Sequence, residues 1–255
     1  MLESSVFAWS DRALFIGARS ETEVHAHNAI EITVALDEQG LDVAVPGGPD
    51  LRRAPGVMVA ADARHQLRVH GPKVAVLYLD PRGAWGAALS RALGGAPARR
   101  LGDDASPARS ASMLALLGLQ VTVEDADMTC EAVLTSVASA PERPRVDPRV
   151  ARALTFLEPR MAEPPTLAEV AQEMGLSSSR AGHLFKAQVG LPLRRYVLWM
   201  RLRGALTEAL ATGNLTAAAH AAGFSDAAHF ARTCKRMFGL PASAFAPVDR
   251  VLLGT

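Results

Sequence analysis

The chain has 255 residues, 49% hydrophobic and 21% charged. This excludes a disordered or fibrous protein and leaves room for one large domain or two ordinary ones. Its two cysteines, Cys130 and Cys234, exclude a disulfide framework and a CxxC metal site. No apolar run reaches the roughly 18 residues a membrane helix needs. The formal net charge of +1 hides an asymmetry: residues 1–140 carry 12 Lys and Arg against 17 Asp and Glu, and residues 141–255 carry 15 against 9. An acidic half beside a basic half fits a DNA-binding module joined to a module that stays off DNA. The opening MLESSVFAWSDR has no basic start followed by an apolar stretch, so no secretory leader is expected, and a reducing cytoplasm is the expected home.

In chain order, residues 5–80 read as short strands. ALFIGAR, EITVAL, LDVAV, GVMVA and KVAVLYLD are rich in Val, Ile and Leu and are separated by Gly, Pro and Asp turns, with PGGPD at 46–50 as a hairpin tip. Such strands suggest a small barrel or sandwich. From Pro81 the texture changes: GAWGAALSRALGG, SPARSASMLALLGLQ and ADMTCEAVLTSVAS carry helical spacing. Met113, Leu114, Leu117 and Val121 form either a core face or a dimer seam. APERPRVDP at 140–148 cannot continue a helix and is read as a linker. Asp147-Pro148 then caps a helix running to about Met161, and everything after it reads as helix.

Near the C-terminal end one unit is written twice. TLAEVAQEMGLSSSRAGHLFKAQVGLP covers 166–192, and NLTAAAHAAGFSDAAHFARTCKRMFGLP covers 214–241. Each reads as helix, glycine turn, capped second helix, which is the grammar of a helix-turn-helix. Thr166 with Glu169 forms a capping box, and Ser177 and Ser225 are the expected N-caps of the second helices. Gly175 and Gly223 sit where the chain reverses, and Leu176 and Phe224 anchor the turns. The exposed positions of the two second helices would be Ser178, Ser179, Arg180, Gly182, His183 and Lys186, then Asp226, Ala227, Ala228, His229, Arg232, Lys235 and Arg236. Pro192 to about Ala211 is a long joining helix.

Residues of about 149–250 resemble the DNA-binding domain of the AraC/XylS family of bacterial transcription regulators. LAEVAQEMGLSSSRAGHLFK and AAGFSDAAHFARTCKRMFGLPASAF carry the resemblance. It implies promoter DNA as partner, RNA polymerase as a second one, transcription activation, and base contacts from Ser179, Gly182, His183, Ala227, Ala228, His229 and Arg232. Lys186, Lys235 and Arg236 lie further along their helices, where phosphate contact is expected. Gly182 offers no side chain, and Cys234 stands where the family has a core Phe.

In the N-terminal half, His25-Ala-His27 is followed by Glu31 and later His65. On a strand, HxH puts both imidazoles on one face. The spacing resembles the metal-ligand pattern of cupins, without the glycines that frame it and with Ala60 and Asp62 in place of the second motif's Pro and Gly. Three imidazoles and a carboxylate could hold a divalent metal such as Zn, Ni, Mn or Fe, or line a pocket for a small-molecule effector.

The expected fold is therefore α+β. A small cupin-like β-barrel with following helices occupies 1–139 as a sensing and dimerisation domain. The linker is 140–148, and an all-α domain of two helix-turn-helix units joined by a long helix occupies 149–250. The leading expectation is a sequence-specific DNA-binding regulator controlled by an effector or metal in the barrel and forming a homodimer. The competing class is a metal-dependent cupin enzyme fused to a DNA-binding domain.

Overall fold

The computed structural model describes residues 3–9, 11–18, 21–102, 106–139, 146–242 and 248–254. Contacts divide the chain into two compact units, Met1–Glu142 with Lys235–Thr255, and Arg143–Cys234.

Among the described residues the first unit holds ten strands: β1 (Ser5–Ala8), β2 (Arg12–Gly17), β3 (Ile30–Ala35), β4 (Leu41–Ala44), β5 (Asp50–Ala54), β6 (Gly56–Val59), β7 (Gln66–Val69), β8 (Val74–Leu79), β9 (Ala98–Arg100) and β10 (Val251–Leu253). They form a seven-stranded sheet, β10-β1-β2-β8-β3-β6-β9, and a three-stranded sheet, β5-β4-β7. The two-residue period of a strand sorts side chains between two cores. Ile30, Ile32 and Val34 of β3, with Ala75, Leu77 and Leu79 of β8, pack under the helices. On the opposite face Ala35, Val74 and Val76 meet Leu41, Val43, Leu67 and Val69 of the small sheet. Both faces of β3 are covered, so all six of its residues are buried.

The expected cupin-like barrel is corrected here: the described strands do not close. Outside the ladders, the recorded bridges are single pairings, Glu21 with Arg68 and His25 with His65. Closure needs a continuous, staggered ladder, and residues 22–29 supply no strand for one.

The three helices, α1 (Ala84–Leu93), α2 (Ser106–Ala115) and α3 (Val123–Val137), follow the expected segments. Thr122 and Asp125 close a capping box at the start of α3. Arg12 of β2 pairs with Asp127 and, at 3.2 Å, with Glu131, whose carboxylate also accepts from Trp85 Nε1 at 2.9 Å. This fastens α1 and α3 to the sheet. Met113 and Leu117 are fully buried in this core, with Leu114 and Val121 packed against it. They form a core face.

The second unit begins within the expected linker 140–148, of which residues 140–145 lie outside those described. Asp147 caps α4 (Pro148–Leu157) by accepting from Arg149 N at 2.9 Å. The helix stops at Leu157, short of the expected Met161, and a 3-10 turn, Glu158–Arg160, follows. Pro159 explains this, since it has no N–H to continue the α ladder. Then come α5 (Leu167–Met174), α6 (Ser178–Val189), α7 (Leu193–Thr212) and α8 (Leu215–Ala221). The last helix, α9 (Ala227–Phe238), runs from this unit into the first. Val150, Leu157, Val170, Met174, Phe185, Tyr196 and Val197 form one core through α4–α7. Among the described residues no helix is long and apolar enough to cross a membrane.

Candidate nucleic-acid interface and metal centre

Local signals set the start of each helix of the repeat. Thr166 Oγ1 accepts from Glu169 N at 3.3 Å while Glu169 Oε2 accepts from Thr166 N at 2.8 Å. Ser177 stands at the N-cap of α6 without a side-chain cap bond. In the second copy the cap moves by one residue. Asp226 Oδ1 accepts from His229 N at 2.6 Å, and Ser225 Oγ donates to Asp226 Oδ2 at 3.0 Å. The cap is therefore Asp226 and not Ser225, and the bond from the His229 amide, with that from Ser225, holds the Asp226 carboxyl below its usual range.

α6 exposes Ser178, Ser179, Arg180, His183 and Lys186, with Gly182 half-buried; α9 exposes Ala227, Ala228, Arg232, Lys235 and Arg236. Phe185 and Phe230 face inward, fully buried. His183 Nδ1 meets the Ser179 carbonyl at 2.8 Å. A carbonyl only accepts, so that nitrogen carries the proton and Nε2 is left as an outward acceptor. His229 is half-buried, edge-on to Phe224 at 5.2 Å, with Nδ1 3.3 Å from Ser225 Oγ. Lys235 Nζ lies 2.8 Å from Glu23 Oε1. Cys234 is fully buried.

One positioning residue has no local signal. Arg201, on α7, donates through Nε to the Met161 carbonyl at 2.6 Å and through its guanidinium to Ala162. Gly223 takes φ +79°, and a Cβ there would stand 2.9 Å from the Arg201 guanidinium and closer still to the same Ala162 carbonyl, so a side chain would collide. The joining helix thus holds the loop before the first helix-turn-helix and the turn of the second at one point. Arg201 belongs to a run of four arginines on α7, so only the fold distinguishes it from a solvated one.

His25, His27, Glu31 and His65 come together with their ligand atoms within 4.8 Å of one another, all four buried. His25 and His27 do not lie on a strand, as the HxH reading expected. His25 sits in the single bridge to His65, and His27 follows in irregular chain. Backbone carbonyls aim the rings. His25 Nδ1 meets the Glu23 carbonyl at 2.9 Å, His27 Nδ1 that of Ala29 at 3.0 Å, and His65 Nδ1 that of Ala63 at 3.0 Å. Each Nδ1 therefore carries the proton and each Nε2 faces the cluster, the arrangement that metal-bound imidazoles use.

Glu31 Oε2 lies 3.0 Å from His27 Nε2 and 3.5 Å from His65 Nε2, while Thr33 donates to Oε1 at 2.6 Å. His65 Nε2 is buried without a hydrogen-bond partner. Burial, with the charges of His65 and His27, lowers His25 to about 3. Burial would raise Glu31, but its bond with His27 and the approach of His65 hold it well below the carboxylate range. Burial opposes a charged His65, but Glu31 outweighs it and raises its pKa. A neutral imidazole, an unpartnered ring nitrogen and a carboxylate form a donor set that fits a divalent metal.

Residues 170–246 match the family model described as a helix-turn-helix domain. Among curated protein sequences none matches the chain. Among solved structures, an apo ToxT variant from Vibrio cholerae is similar at a TM-score of 0.61 and 10% identity, covering 93% of this chain and 97% of that one. Wild-type ToxT with a bound unsaturated fatty acid gives 0.57 and 10% over 93% and 95%. At these identities the likeness establishes a shared fold. A transcriptional regulator described by its AraC-type DNA-binding domain, from Chromobacterium violaceum, is 26% identical over 39% of this chain and 89% of its own, at a TM-score of 0.36. The matched stretch, residues 170–246, is described as a helix-turn-helix and not as a catalytic domain.

Proposed function

We propose that this chain is a sequence-specific transcriptional regulator of the AraC/XylS type. The N-terminal unit senses a divalent metal or a small molecule at His25, His27, Glu31 and His65, and the helix-turn-helix units read promoter DNA. One observation carries the reading: two helices with exposed N-terminal turns, α6 and α9, stand before and after the 20-residue α7 in the chain. A helix of that length spans about 30 Å, close to the roughly 34–36 Å between successive major-groove turns on one DNA face. The exposed Arg180, Lys186, Arg232 and Arg236 supply positive charge for the phosphates and base edges. Cytoplasmic location, homodimerisation, contact with RNA polymerase and transcription activation belong to the same proposal. Regulation requires the effector to bind the DNA-competent and incompetent states with different affinity.

The test begins with selection of a cognate site from a random DNA library by the full chain. Arg232→Ala then weakens binding to that site by about 1–3 kcal/mol, roughly 5- to 150-fold, with random DNA losing much less. Equal losses on both DNAs would reduce Arg232 to a phosphate contact. Failure to enrich any site would overturn sequence-specific reading altogether.

A further inference from the structure

Lys235–Thr255 packs within the first unit, and its first turn lies over the histidine cluster. Phe238 sets its ring edge-on to Tyr78 at 5.7 Å and tilted against His27 at 6.3 Å. The Gly239 carbonyl accepts from Glu23 N at 3.1 Å, and Lys235 pairs with Glu23 at 2.8 Å. Gly239 takes φ +66°, and a Cβ there would stand 2.5 Å from the Glu23 carbonyl and 2.8 Å from His25 Nδ1. The backbone of this turn therefore rests directly on the cluster, and His25, His27, Glu31 and His65 are each at most 4% exposed. Further along, the chain is tied down again. Asp249 accepts from Ser4 N at 2.9 Å, and β10 pairs with β1.

We propose that the Lys235–Gly239 turn is a lid over the histidine cluster, so that a divalent cation enters only as the turn lifts, releasing the C-terminal end of α9. This rests on the reading of the cluster as a cation site. The cluster must also contract around a cation. Tetrahedral ligands about 2.0–2.1 Å from a metal are roughly 3.3 Å apart, whereas these atoms spread over as much as 4.8 Å. That contraction draws His25 inward from the backbone it now supports. Because α9 is continuous from Ala227 to Phe238, freeing its last turn alters the support of the helix that carries Arg232.

The experiment loads the full-length apo protein with Co2+, following the cobalt absorption band by stopped flow and backbone amide exchange by mass spectrometry. Gly239→Ala pries the lid and speeds Co2+ loading at least tenfold. Gly190→Ala is the control. It caps α6 at φ +81° with nothing within 4 Å of an added Cβ, so it carries the same backbone strain away from the cluster and leaves loading unchanged. Glu23→Gln, which removes an exposed ion pair, speeds loading by about two- to fivefold. In the wild type, Co2+ increases exchange at Glu23 and at Gly239–Leu240. If Co2+ binds with a histidine-dependent band but Gly239→Ala and Gly190→Ala load alike, or exchange at Glu23 and Gly239 falls, the lid is overturned and the cation site stands. If no histidine-dependent band forms, the cation site itself is overturned.

Discussion

Phe185→Ala removes about 3–5 kcal/mol from the helix-turn-helix unit and with it most of the DNA binding. Phe185 is fully buried on the inner face of α6, edge-on to Tyr196 at 5.5 Å. It stands in the core that joins α4, α5, α6 and α7. Truncation leaves a cavity among four helices packed on one core, so collapse is incomplete and the cost is at the upper end of large-to-small changes. For a domain of roughly 60–100 residues each kcal/mol lowers Tm by about 4–8 °C. The melting transition, followed by circular dichroism, should therefore fall by at least about 12 °C. Lys186→Ala, one residue on but exposed, leaves Tm nearly unchanged and instead flattens the salt dependence of DNA binding. A Phe185→Ala protein melting within about 2 °C of the wild type would show that α6 is not held by this core.

His65→Ala weakens Co2+ or Zn2+ binding by at least about 100-fold. Even residues that only orient a ligand are worth 10- to 100-fold, and His65 would be a direct ligand. Its Nε2 is buried, 3.5 Å from Glu31 Oε2, where the ligand atoms of His25, His27 and Glu31 converge. His70→Ala is the comparison. His70 Nε2 is also buried beside a carboxylate, 3.0 Å from Asp42 Oδ2, but it stands outside the cluster, so its loss leaves the stoichiometry at one cation per chain. Titration calorimetry on both variants separates the outcomes. Equal affinity in His65→Ala and the wild type would leave the cluster as a small-molecule pocket or a set of structural histidines.

The strands at the centre of the sheets were legible from Val, Ile and Leu runs because both faces of β3 and β8 are covered. The peripheral β5, with DLRRA largely exposed, and the three-residue β9 and β10 offered no such run. The barrel was read from strand spacing alone. Spacing does not say whether a last ladder forms, and residues 22–29 leave that ladder as single bridges. The N-cap of α9 was misplaced by one residue because Ser225 and Asp226 are both good caps, and only the helix geometry chooses between them.

The repeat, its glycine turns, the capping box at Thr166 and Glu169 and the outward faces of α6 and α9 were determined by the sequence itself. Caps, turns and i→i+4 hydrogen bonds act within a few residues, so a short window contains their cause. The sequence also named the four residues of the histidine cluster, because imidazoles at HxH spacing narrow the chemistry. Only the tertiary structure decided that His65 stands against His25, that Arg201 locks the loop before α5 to the α8–α9 turn, and that Phe238 and Gly239 cover the cluster. Those contacts join residues from about 40 to more than 200 positions apart. They are set by which surfaces fit when whole elements pack, a choice that no local pattern encodes.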